Sequence, residues 1–238
     1  MDASLPPSLD TKMWRNAFKV ALGIHVFFIV YIASYDQGFT LTSFVKTFAG
    51  TANFLFAISL SLSAFGYFFN FLDSKVLYRK YFGLLGYFSA LIYMLLVPVV
   101  NPERYFYGFF ENFWSTDILL GLTAMAIFTG MALISNQSAM LWMGPKRWRL
   151  ALRFGYLAFF LLVVRAILNQ EIPIGADQFP EMWVTYLASP DSVPPPRLLF
   201  SSVALAVIFF RFLVEIDKWH KSSGHQARPT PPVLSAGE

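Results

Sequence analysis

Six stretches of this chain are each long and apolar enough to fill the hydrocarbon layer of a bilayer. They lie at 16–34, 45–69, 81–100, 116–136, 149–168 and 198–216, and a helix needs about 20 mostly apolar residues for one crossing. Lipid offers no water to stray backbone groups, so a spanning segment must bond its own N–H and C=O groups or close into a barrel. Barrel strands alternate apolar and polar residues, and these uniformly apolar runs do not. The chain therefore reads as all-α, a polytopic membrane protein built as a six-transmembrane-helix bundle. Charge content agrees: only 13% of residues are Asp, Glu, Lys or Arg, against about 25% in a soluble domain. Residues 1–15 read as a polar N-terminal segment, 16–216 as the helical domain and 217–238 as a disordered cytoplasmic tail.

The loops carry the orientation. Fourteen of the 18 basic residues fall on one side of a six-helix arrangement. These are Lys12, Arg15, Lys19, Lys75, Arg79, Lys80, Lys146, Arg147, Arg149, Arg153, Arg211, Lys218, Lys221 and Arg228. The other side keeps Lys46, Arg104, Arg165 and Arg197, with most of the acidic residues. Because Lys and Arg are retained on the cytoplasmic face, both termini are expected in the cytoplasm of a multi-pass protein of a bacterial plasma (inner) membrane. No cleavable signal peptide is expected, since residues 1–13 are polar and hold Pro6 and Pro7.

Two outer segments invite contact with a protein partner. Residues 101–115 crowd Tyr105, Phe106, Tyr107, Phe109, Phe110, Phe113 and Trp114 together, a composition that suits an interfacial aromatic belt or a docking surface. Residues 169–197 form the longest loop, with Pro194–Pro196 near its end. The net charge of +4 does not point to nucleic acid, because no basic stripe with interleaved aromatics lies outside the apolar runs. Zero cysteines exclude disulfides, iron–sulfur clusters, thiolate metal sites and thiol nucleophiles. His220 and His225 stand five residues apart with no third ligand suitably spaced, so no metal site is expected. Phosphate-binding, dinucleotide-binding and nucleophile-elbow glycine motifs are all missing. Gly121, Ala124, Gly130 and Ala132 read as helix-packing positions.

The order of residues around the fourth and fifth apolar runs is more specific. Ile134-Ser135-Asn136 closes one run; Gly144-Pro145-Lys146-Arg147-Trp148-Arg149-Leu150 follows, then Tyr156 and the next run. Ahead of the third run stands Arg79-Lys80-Tyr81-Phe82-Gly83-Leu84. This arrangement resembles the ferric reductase-like transmembrane domain, and within it the haem-binding membrane subunits of periplasmic methionine sulfoxide reductase systems. The likeness covers roughly residues 45–215. It implies a bundle that carries electrons through haem held by histidines, with a flavin or flavin reductase approaching the basic pair Arg79 and Lys80. At the positions where the family places its haem-ligating histidines, this chain has Tyr93, Leu152 and Arg165.

Those three substitutions remove the ligand chemistry that the resemblance implies. A low-spin transmembrane haem takes axial nitrogen or sulfur ligands. Leucine has no donor atom, and arginine stays protonated with no lone pair. Tyrosine could supply one phenolate, a high-spin ligand poorly suited to fast electron transfer. The expected reading is a haem-free structural, assembly or partner-docking subunit with no cofactor, with enzymatic activity left open but disfavoured. Haem b or FMN in an electron-transfer subunit is the alternative, and a lipid- or quinone-binding bundle is a second. His25 is the one histidine inside an apolar run. It is the candidate for an atypical haem, paired with Met94 or Met125, for a quinone headgroup, or for a hydrogen bond to a neighbouring helix. Arg165 reads as a residue whose stem reaches toward the headgroups, where Glu171 or Asp177 could pair with it.

Overall fold

The computed structural model describes residues 7–69, 75, 77–107, 110, 113–168, 184 and 196–226, and every regular element among them is helical. Helix α1 spans Pro7–Tyr35, α2 Leu41–Phe68 and α3 Arg79–Val100. A π-helical turn, Glu103–Tyr107, leads toward α4 at Thr116–Ile134. Two short helices follow, α5 (Gln137–Met143) and α6 (Pro145–Ala151), then α7 (Phe154–Leu168) and α8 (Pro196–Gln226). Three helical segments are long and apolar enough to cross a membrane: Leu9–Tyr35, Leu41–Phe68 and Arg79–Val100. Ile118–Ile134 and Phe154–Arg165 are apolar but shorter.

Successive long helices run in opposite directions. The start of α1 meets the start of α3, where the Tyr81 hydroxyl donates to Asp10 Oδ1 at 2.5 Å. The end of α2 meets the end of α8, and the start of α4 lies against the end of α7 through Gly121 and Arg165. Between α1 and α2, Thr40 caps α2 by accepting from Ser43 N, and Ser43 Oγ donates to Asp36 at 2.7 Å. Burial pushes the Asp36 carboxyl up, but the Ser43 hydrogen bond and the Lys46 ammonium 3.0 Å away outweigh it and hold the pKa below its ordinary value.

Helix α2 lies at the centre, packed on α1, α3, α7 and α8. Its small residues let backbones approach closely, the packing mode that apolar surroundings favour. Phe28 of α1 is fully buried with its ring over Gly50 of α2. Gly86 of α3 sits over Leu55 and Phe56. On the other side, Ala52, Phe56, Ala57 and Leu60 form one core with Ala124 and Phe128 of α4, Ala158, Phe159 and Val163 of α7, and Ala204 and Val207 of α8. Of the four expected packing positions on α4, Gly121 and Ala124 do face a neighbouring helix, whereas Gly130 meets nothing within 4 Å.

Three expectations need correction. Helix begins at Pro7, inside the polar N-terminal segment, because Pro suits the first helical position and Met13, Trp14 and Ala17 pack against Tyr81 and Leu55. The run expected as one helix over 149–168 is broken at Leu152 and Arg153. There Arg153 N donates to Leu150 O, and Tyr156 N to Arg153 O, the three-residue spacing of tightened turns. The expected disordered tail is helical as far as Gln226. Arg211–Glu215 and Asp217–Lys221 pair across single turns, and Tyr67 of α2 donates to Asp217 at 2.7 Å. Residues 227–238, and nearly all of the 169–197 loop, lie outside the described residues.

Two tests arise from this packing. A Cβ at Gly50 would lie 2.7 Å from a Phe28 ring carbon, whereas one at Gly23 meets nothing within 4 Å. Gly50→Ala should therefore destabilise by about 1–3 kcal/mol, and Gly23→Ala should be neutral or stabilise by up to ~1 kcal/mol, read by thermal melting in detergent. The clasp between α2 and α8 has its own pH window. Hydrogen bonds from Lys221 and Tyr67 lower the Asp217 pKa, and those with Asp217 and Tyr67 raise that of Lys221. A depressed carboxyl loses its contribution as pH falls through its folded value, and a raised amine loses its contribution as pH rises through its own. A spin label at the exposed His220 should keep constant mobility from about pH 4 to about pH 10 and loosen outside that range.

Candidate functional site

The residues singled out from the sequence do not converge on one centre. Tyr93 lies half-buried on α3. Leu152 is not on α7 at all; it is the C-terminal cap of α6, in the turn before α7. Arg165 stands in the last turn of α7, 13 residues further on, about 20 Å along a continuous helix. Its guanidinium lies along Gly121 of α4, with Cδ and Nε 3.6 Å from where a Cβ would be. The Nε is buried and has no hydrogen-bond partner among the described residues; Glu171 and Asp177, the partners expected from the sequence, lie outside them. Leu152 offers iron nothing, and Arg165 offers only protonated nitrogen. Haem b held by two axial ligands therefore does not fit the residues at these positions.

The interior between α2, α4, α7 and α8 is occupied by side chains. Phe56 of α2 and Phe128 of α4 stack with ring centroids 4.0 Å apart and planes 7° from parallel. Ala52, Ala124, Ala158 and Ala204 surround them, all buried. Such small residues let the helix axes come close together. Of the scattered polar groups in these runs, Ser59 donates to Arg79 O at 2.8 Å and Thr129 to Met125 O at 2.8 Å. Thr123 is exposed.

His25 is held by geometry that fixes its tautomer. Thr51 Oγ donates its only proton to Thr47 O at 2.8 Å. The contact between His25 Nδ1 and Thr51 Oγ, 2.9 Å, then requires Nδ1 to be the donor. Nε2 of the neutral ring keeps a lone pair. The ring also lies against Phe48, centroids 4.6 Å apart. Nε2 can accept a hydrogen bond or bind a metal. It cannot donate to a quinone carbonyl in this state.

Arg79 and Lys80 diverge, as neighbours on a helix must. Lys80 is exposed, its ammonium 5.8 Å from the Tyr81 ring centroid. Arg79 turns inward, within electrostatic range of Tyr156 on α7 and Arg211 on α8. The structure gathers a different group here. The Arg211 guanidinium stacks on the Tyr156 ring, 4.7 Å from its centroid, and Tyr156 Oη donates to Leu60 O at 3.2 Å. Four helices thus meet at two guanidiniums, of which Arg211 is paired with Glu215. Sequence reasoning took Arg211 only as a topology charge; its four-residue spacing to Glu215 was the available signal.

Among the described residues no group of three or more His, Cys, Asp or Glu side chains could hold a metal. His220 is exposed beside Trp219. On the opposite end of the bundle, Phe106, Tyr107, Phe110 and Trp114 are well exposed. No protein-family model matches the chain, and no curated protein matches it.

Because its buried Nε is unsatisfied among the described residues, Arg165 should not be a stabilising residue. Arg165→Met should leave the melting temperature unchanged or raise it, corresponding to about 0–2 kcal/mol of stabilisation. A clear drop would mean that the guanidinium holds the α4–α7 contact together.

Proposed function

We propose that this chain crosses a bacterial inner membrane six times, with both termini cytoplasmic, as a haem-free structural or partner-docking subunit of a membrane complex. The observation that carries this reading is the filled interior. Between α2, α4, α7 and α8 the core is taken up by the Phe56–Phe128 stack and the buried alanines packed with it. Tyr93, Leu152 and Arg165 stand at the family's ligand positions. The six crossings rest on the alternating helix directions and on the loop charges, since Lys75, Lys80, Lys146, Arg147, Arg153, Lys218 and Lys221 gather at one end. The exposed aromatics of 101–115 offer a partner or the headgroup layer a surface at the other end.

His25 supports a second reading, an electron-transfer subunit with an atypical ligand. Its Nε2 lone pair is the single described feature that favours it.

One purification separates the two. Isolated in mild detergent from its native host, the protein should be colourless and should carry a stoichiometric partner. A Soret band that disappears in His25→Ala would replace this reading with the second. A colourless, solitary monomer would remove the docking role.

A further inference from the structure

The connector between α4 and α7 is anchored at one point and bare at another. Trp148 of α6 is half-buried, and its indole N–H donates to Ile134 O at 2.8 Å. That bond satisfies a carbonyl at the C-terminal end of α4, where helix carbonyls lack internal partners. Asn136 caps α5 by accepting from Ala139 N at 2.7 Å. Gly144 then reverses the chain with a φ of +75°, a conformation that costs glycine little. The connector is therefore built, with both of its short helices held in place.

Against that anchor, Leu141 is 71% and Trp142 86% exposed. Neither is a residue that a water-facing turn needs, and Trp is the side chain most at home between hydrocarbon and headgroups. Lys146, Arg147 and Arg153 follow within one short stretch, all exposed. Apolar side chains beside fixed cations match a surface of one chemistry: acyl chains topped by anionic headgroups. An aqueous face would leave the indole in water, and a neutral lipid surface would leave the cations unmatched.

We infer that the α5–α6 connector lies in the membrane interface, with Leu141 and Trp142 inserted below the headgroups and Lys146, Arg147 and Arg153 held against anionic lipid phosphates. This rests on the six-span topology proposed above. The segment then acts as a lipid-sensing foot at the basic end of the bundle, coupled through Trp148 to the end of α4.

The chain has no cysteine, so single labels report without background. Leu141→Cys, Trp142→Cys and Lys146→Cys would each carry a nitroxide, in the full chain, in nanodiscs of phosphatidylcholine with or without phosphatidylglycerol. Labels at 141 and 142 should collide with oxygen in preference to a water-soluble nickel chelate when phosphatidylglycerol is present, and the label at 146 should do the reverse. Adding Arg147→Glu and Arg153→Glu should shift the 141 and 142 labels toward water in the anionic discs. Nickel access at 141 and 142 in both lipids would overturn the proposal and leave that surface to a soluble partner. Equal immersion in both lipids would overturn its anionic specificity. Reaction of Lys146→Cys with an impermeant maleimide from the cytoplasmic side tests the topology separately. Labelling from the outside would sink the topology, whatever the immersion depth.

Discussion

Close backbone approach along α2 is the constraint on which the bundle depends. Phe28 can be fully buried only because Gly50 has no side chain beneath it. Leu55 and Phe56 meet α3 at Gly86, and the alanines of α2, α4, α7 and α8 share one core. In an apolar solvent, helices gain little from merely hiding hydrophobic surface, so van der Waals fit between backbones has to supply the attraction. A chain with 27 phenylalanines could crowd itself apart. Here the rings are seated over glycine and alanine instead, and α2 serves as the common wall.

Polar contacts mark the ends of the helices more than their middles. Tyr81 with Asp10, Tyr67 with Asp217 and Lys221, and Ser43 with Asp36 each tie two helix ends together. The carboxylates of Asp10, Asp36 and Asp217 there stay partly exposed, so water can complete their hydrogen bonding. Inside, hydroxyls mostly bond their own helix, as Thr51 does to Thr47 and Ser89 to Leu85. A few interior groups reach another helix: Ser59 and Tyr156 bond backbone carbonyls of α3 and α2, and His25 meets the side chain of Thr51 through a bond with a defined direction. Catalysis of any kind needs such a directed group, which is why His25 carries the alternative reading.

Much of the helical layout was legible, since long apolar runs constrain the backbone directly; α3 and the start of α4 fall where the hydropathy put them. The break at Leu152–Arg153 was not, because Trp148 to Leu162 reads as continuous helix until Trp148 is drawn to Ile134 O. The helical extension of α8 was equally hidden: residues 222–238 read as a tail because they are rich in Pro, Ser and Gly, and Asp217 is held by Tyr67, 150 residues away in sequence. The candidate site suffered most. Tyr93, Leu152 and Arg165 are singled out only by a resemblance in residue order. The register that brings Thr51 to His25, or Gly121 to Arg165, depends on how helices slide past one another, and a single sequence does not record that sliding.

The unequal lengths of α2 and α3 have a mechanical consequence. At 28 residues α2 is about 42 Å long, whereas α3 at 22 residues is about 33 Å. On the six-span reading, α3 nearly matches the hydrocarbon depth, while α2 must tilt or carry its ends beyond it. The surplus length of α2 would then set the lean of the helices packed around it.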